Sequence, residues 1–98
     1  MKGEYIGKPE GSKLLRLSLH WENGLVEGLS IRGDFFAHPE TGFEEAEAAM
    51  IGTPLIELGD NFAREIATRG VSLYGLTPQN VGDAAASIVS KANPEESQ

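Results

Sequence analysis

Asp34 and the two histidines, His20 and His38, are the residues on which acid–base or metal chemistry would have to be built in this chain. An aspartate of this kind could serve as a general base. Asp34, however, directly follows Gly33 at the point where strand-like alternation stops. An acid in that position ordinarily accepts backbone N–H bonds in a turn, which is the role expected of it, with a partner contact as the other reading. His20 falls on a strand and His38 in a loop, with no close His, Asp or Glu pairing at metal-ligand spacing, so both read as surface or partly packed histidines. Glu44, Glu45 and Glu47 could loosely hold a divalent cation, but helix capping and solubility explain them better. Neither G-x-G-x-x-G nor G-x-x-x-x-G-K-[ST] occurs, so there is no glycine-rich phosphate loop. The absence of cysteine removes thiolate nucleophiles, disulfides and cysteine-based metal or iron–sulfur sites. No catalytic site emerges from the residues.

What remains is a surface question. Phe35 and Phe36 are adjacent on an extended segment, so their rings point to opposite faces. Three readings stand: one ring in the core and one in a subunit interface, both packed under the acidic helix, or a ligand pocket. Trp21 and Tyr74 are expected in the core or at its edge, because a chain this small needs its aromatics for burial. Lys13, Arg16 and Arg32 are the bases expected to share one sheet region.

The elements that would position these residues can be read from spacing. Met1–Ser12 reads as an arm, with a short strand at Glu4–Ile6. From Lys13 to Glu22 the alternation is clean, with Leu15, Leu17, Leu19 and Trp21 on one face. Asn23-Gly24 supplies the positive φ angles of a type I′ hairpin turn. On the return strand, Leu25–Arg32, Val26 is out of phase with Leu29 and Ile31, which predicts a β-bulge at Glu27-Gly28. Thr41-Gly42-Phe43-Glu44 fits a capping box opening a helix with Phe43, Ala46 and Met50 inward and Gly52 after its end. Thr53-Pro54 reads as N-cap and first residue of a second helix carrying Leu55, Leu58, Phe62 and Ile66, divided near Gly59 and stopped by Gly70. Val71–Tyr74 is a brief extended stretch, and Thr77-Pro78 opens a third helix with Val81, Ala85, Ile88 and Ala92 inward. A polar tail from Asn93 is expected to be disordered.

These elements imply one α+β domain: a small antiparallel sheet of two to three strands, hairpin first, with about three helices on one face. A two-stranded hairpin is marginal alone, so Glu4–Ile6 or Val71–Tyr74 must supply a third strand. At 98 residues, 40% hydrophobic and 23% charged, the chain is an ordinary globule rather than a disordered segment. No apolar run approaches the roughly 20 residues that span a bilayer, and the N-terminus lacks signal-peptide layout, so a cytoplasmic protein is expected. The net charge of −7 is uneven: residues 1–33 are at +1, residues 34–63 at −7 with no Lys or Arg, and residues 64–98 at −1. Such a field repels phosphate backbones, so nucleic acid is not an expected partner.

Gly33-Asp34-Phe35-Phe36, preceded by Lys13-Leu14-Leu15 and Asn23-Gly24 and followed by Gly75-Leu76-Thr77-Pro78, resembles the small C-terminal domain of lipoate–protein ligases. In some organisms that domain is a separate subunit. The resemblance runs over 13–92, which would leave 1–12 as an arm and 93–98 as a tail. It implies a fold similar to iron–sulfur scaffold proteins, without their cysteines. It also implies a noncatalytic accessory subunit, needed together with a large catalytic subunit for ATP-dependent activation of lipoate to lipoyl-adenylate. Lipoate, ATP and Mg would belong to that partner, with none bound by this chain alone. Lipoyl-domain proteins would be indirect partners as acceptors. The residues expected at the partner interface are Lys13, Gly33, Asp34, Phe35, Phe36, His38 and Pro39. Lys13 sits where the family has a lysine after two glycines, the second of which is Ser12 here. In a functional role it would face the partner's active site and help hold an anionic intermediate; otherwise it is a surface lysine leading a strand. The alternative for the whole chain is a stand-alone interaction module of the same fold serving another enzyme.

Overall fold

Alternating leucines from Leu15 to Trp21 make the central strand of a three-stranded antiparallel sheet in the computed structural model, which describes residues 1–92. The strands are β1 (Lys2–Gly7), β2 (Leu15–Glu22) and β3 (Leu25–Gly33), in the order β1-β2-β3. The third strand thus comes from the N-terminal segment, and it is longer than the expected Glu4–Ile6. Leu15, Leu17, Leu19 and Trp21 are all at most 5% exposed, as the period of two requires. Asn23 and Gly24 turn the hairpin with φ of 53° and 76°. Trp21 pairs with Val26 while His20 pairs with Gly28, so Glu27 is the extra residue of the expected bulge and points to solvent.

The chain then makes a short strand β4 (Phe36–His38), which pairs with β5 (Ser72–Tyr74) in a separate two-stranded ribbon. Helix α1 (Glu40–Ala49), a 3-10 turn (Leu55–Glu57), α2 (Leu58–Thr68) and α3 (Pro78–Ala92) complete the described fold. Phe43 and Ala46 from α1, Met50 just after it, Leu58, Phe62 and Ile66 from α2, and Val81, Ala84, Ala85 and Ile88 from α3 close over the leucine face of the sheet. The second helix divides just before Gly59, as its glycine suggested. No helix among the described residues is long and apolar enough to cross a membrane. The tail expected from Asn93 lies outside the described residues.

Three local readings are corrected. The Thr41/Glu44 capping box does not form, because the helix starts two residues earlier, after Pro39 (φ −75°, ψ 145°). That start lets the Phe43 N–H reach the Pro39 carbonyl at 3.2 Å and leaves Thr41 within the first turn. Pro54 is extended (ψ 130°) rather than helical. The hairpin holds it so: the Val26 N–H donates to Thr53 at 2.9 Å and the Leu55 N–H to Gly24 at 2.8 Å. Glu47, read as a solvated helix acid, is only 14% exposed. It accepts the Ile31 backbone N–H at 2.7 Å and lies 3.5 Å from Arg32, tying α1 to the edge of β3. A reciprocal cap does form at α3: the Asn80 N–H donates to Thr77 Oγ1 at 3.1 Å and the Thr77 N–H to Asn80 Oδ1 at 3.0 Å.

Candidate partner-docking site

The end of the molecule where β2 begins and β3 stops gathers most of the residues singled out in the sequence. Gly33 turns the corner at φ 153°, a conformation that L side chains rarely adopt, and a Cβ there would overlap the Leu14 carbonyl oxygen. The next residue continues the ladder, with the Asp34 N–H donating to the Leu14 carbonyl at 3.0 Å. The turn contact is thus a backbone one, and the N–H-accepting role expected of the Asp34 side chain is not observed. Its carboxylate makes no hydrogen bond or ion pair among the described residues.

The corner sends the two phenylalanines apart. Phe35 packs inward against Phe43, ring centroids 5.4 Å apart, and Phe43 meets Phe62 edge-on at 5.7 Å. This chain of rings roots the corner in the core. Phe36 is 74% exposed. Of the three readings, an inward Phe35 and an outward Phe36 is the arrangement observed.

Directly opposite Phe36 across the ribbon is Tyr74, 63% exposed. Opposed residues of an antiparallel pair share a face, so the two rings stand side by side in solvent. Tyr74 is therefore neither in the core nor at its edge, the places expected of it. The signal was present in the sequence: Val71 and Leu73 alternate inward, which turns Ser72 and Tyr74 outward. His38 lies on the same outer face opposite Ser72, and Pro39 leads into α1, where a Cβ on Gly42 would sit 3.4 Å from the Pro39 ring.

Lys13 joins this end through Gly75. The Lys13 N–H donates to the Gly75 carbonyl at 2.9 Å. Gly75 has φ +85°, and a Cβ there would come within 2.6 Å of Lys13 Cγ and 3.6 Å of Phe35 Cα, so the lysine stem lies across a bare glycine beside the aromatic corner. Ser12 Oγ, 2.6 Å from Asn80 Oδ1, secures the same loop to the start of α3. Gly75, Ser12 and Asn80 are supports that were not singled out for a role here. Arg16 and Arg32 do sit opposite each other on the open sheet face, but Lys13 stands apart from them.

The site is an exposed aromatic pair, flanked by a lysine and an aspartate, on a ribbon rooted in the core. Among the described residues no three His, Asp or Glu side chains are grouped as a metal site needs. Exposed aromatic rings on a rooted backbone are a feature that protein interfaces commonly bury.

No family model matches the sequence, and no curated protein matches it. Among solved structures, the chain is similar to one from an archaeal lipoylation system, a bipartite lipoate–protein ligase with its E2 lipoyl domain from Thermoplasma acidophilum. The two are 25% identical with a TM-score of 0.66, over 87% of this chain and 97% of the other. Fold and site together make a small α+β domain that presents an exposed aromatic pair. The structural match, together with the sequence resemblance, supports its membership of the lipoate–protein ligase accessory-domain family.

Proposed function

We propose that this chain is the noncatalytic accessory subunit of a two-component lipoate–protein ligase. The observation that carries the reading is coverage. The match takes in nearly the whole of a chain of similar length, and that chain comes from a system whose ligase is bipartite. In this reading the Phe36/Tyr74 face docks on a large catalytic subunit, which holds lipoate, ATP and Mg. Lipoyl domains are modified by that partner and meet this chain only indirectly, in the cytoplasm.

The physical role is to restrict motion and water. Forming lipoyl-adenylate requires two ligands to be aligned and a reactive mixed anhydride to be kept from hydrolysis. A covering domain does both without supplying a catalytic group. In this reading Lys13, whose stem lies across Gly75 beside the aromatic corner, sets a positive charge near the anionic intermediate once the partner is docked. Transfer of the lipoyl group from preformed adenylate depends chiefly on the partner.

The test is lipoate-dependent pyrophosphate release by the large subunit, with and without this chain. Stimulation is expected, together with no release by this chain alone. If the chain leaves the rate unchanged and does not bind the large subunit, the alternative of an interaction module serving another enzyme takes its place.

A further inference from the structure

Backbone pairing leaves one edge of the main sheet open. The phase of the β1–β2 ladder is set by Met1 and Trp21, which exchange two bonds: Met1 N to Trp21 O at 2.7 Å and Trp21 N to Met1 O at 2.8 Å. Such pairs alternate with pairs that exchange none. With Lys2 opposite His20 and Gly7 opposite Leu15, the residues bonded to β2 are Gly3, Tyr5 and Gly7. The N–H and C=O groups of Lys2, Glu4 and Ile6 therefore point outward, away from β2.

The opposite edge is partly covered. The Ile31 N–H goes to Glu47 at 2.7 Å, and Val26 exchanges bonds with the 52–53 turn, donating to Thr53 at 2.9 Å and accepting from Gly52 at 2.7 Å. No such cover is found at Lys2, Glu4 or Ile6 among the described residues. An uncovered edge is a template for another strand.

We infer that β1 pairs antiparallel with β1 of a second copy of this chain, with Lys2 opposite Glu4 of the second copy. Hydrogen bonding requires outward residues to face outward residues, so even positions face even positions. Among registers that pair residues within β1, only this one sets unlike charges opposite each other, and two-fold symmetry makes the pair twice. The two strands cross at Gly3, whose helix-facing side is already filled by Ile88 of α3, so the approach is edge to edge. The result is a six-stranded sheet in the order β3-β2-β1-β1-β2-β3 with both helical layers on one face. Charge favours this edge: residues 1–33 are nearly neutral, whereas the acidic excess lies in residues 34–63. The ribbon bearing Phe36 and Tyr74 follows β3 at the far edge and stays free for a different partner.

Sedimentation velocity over a concentration series tests the assignment on the whole chain. The wild-type protein should show a concentration-dependent dimer. Lys2→Glu alone and Glu4→Lys alone should each lose it, because each sets like charges opposite one another. Mixing the two variants should restore it, because unlike charges then meet again. Glu4→Pro removes an outward N–H while sparing the bonds to β2, so it too should leave a monomer with an unchanged circular dichroism spectrum. A wild-type chain monomeric throughout, a dimer that survives both reversals, or a mixture that stays monomeric overturns the proposal. So does a dimer lost in Phe36→Ala and kept in the charge variants, which would move the contact to the ribbon.

Discussion

Replacing Gly33 by alanine tests the corner that aims the docking ribbon. Two costs follow from its geometry. At φ +153° an alanine occupies backbone space that is essentially reserved for glycine, a penalty of about 1–3 kcal/mol. Its Cβ also meets the Leu14 carbonyl oxygen, and lies 3.1 Å from Leu14 C and 3.2 Å from Leu15 Cα, so the β2 and β3 backbones must part. Parting them loosens the 3.0 Å bond from the Asp34 N–H to the Leu14 carbonyl, worth roughly 0.5–1.5 kcal/mol. Together these make about 2–4 kcal/mol. For a domain of this size that is a fall in melting temperature of roughly 10–25 °C. Gly52→Ala is the control. Gly52 has φ +85° with nothing within 4 Å of the added Cβ, so only a dihedral cost of about 1–2 kcal/mol applies. Melting curves of the two variants, followed by circular dichroism in one buffer, separate clash from dihedral strain. If Gly33→Ala melts no lower than Gly52→Ala, the close approach at Leu14 is not what fixes the corner.

Phe36→Ala should leave urea stability within about 0.5 kcal/mol yet weaken association with the large subunit by roughly 1–3 kcal/mol, and Tyr74→Ala should behave likewise. Phe35→Ala should do the reverse, losing about 1–3 kcal/mol of stability with the Phe43 contact; equal effects at both positions in calorimetry and unfolding would contradict the split. Glu47→Ala should cost about 1–2 kcal/mol by stranding the Ile31 N–H, while Glu47→Gln retains an acceptor and costs less. Hydrogen exchange at the Ile31 amide reports this directly, and unchanged protection in the alanine variant would dismiss the tie. The Glu22 carboxyl is held below its ordinary value, first by the hydrogen bond from the Met1 α-ammonium at 2.7 Å and then by the attraction of that charge. A depressed carboxyl stabilises the fold above its unfolded pKa, and that contribution is lost as pH falls through the folded value. An NMR titration should therefore place Glu22 below the ordinary glutamate value, and acetylating the α-amine should raise it.

The sheet was legible because its signals are local and redundant. Leucines at Leu15, Leu17 and Leu19 fix a face, Asn23-Gly24 fixes a turn, and the phase slip at Val26 gives away the bulge. The errors arise where a distant segment overrides a local preference. Thr53-Pro54 reads as a helix start in isolation, but backbone bonds to the hairpin hold it extended. Glu47 belongs by spacing to a solvated helix face, yet the free edge of β3 lies within its reach and offers an N–H that needs a partner. Pairing of β4 with β5 joins residues more than thirty positions apart, so nothing near Tyr74 announces Phe36 as its neighbour. The fold follows from periodicity, whereas the site depends on which remote strand is met.

In the proposed role, that dependence bears on how a covering domain can serve an enzyme. A cover that flexes gives away binding energy in being ordered, so its contact residues must be held before the partner arrives. Phe36 cannot be held by burial of its own ring, since that ring is its contribution. Its neighbour is held instead: Phe35 is fixed against Phe43, and Phe43 against Phe62 in the centre of α2. Tyr74 is fixed from its other side by the Gly75 backbone, bonded to Lys13 on a loop that Ser12 secures to α3. The two rings are thus anchored through different helices and meet only on the surface. Loosening either anchor should blunt docking even with both rings intact. Leu73→Ala, which removes a half-buried side chain beneath the ribbon without touching the outer face, isolates that effect. It should slow association with the large subunit in stopped-flow mixing, since fewer encounters find both rings in place. An unchanged association rate would mean that the rings find their pockets independently and that rigidity of the ribbon plays no part.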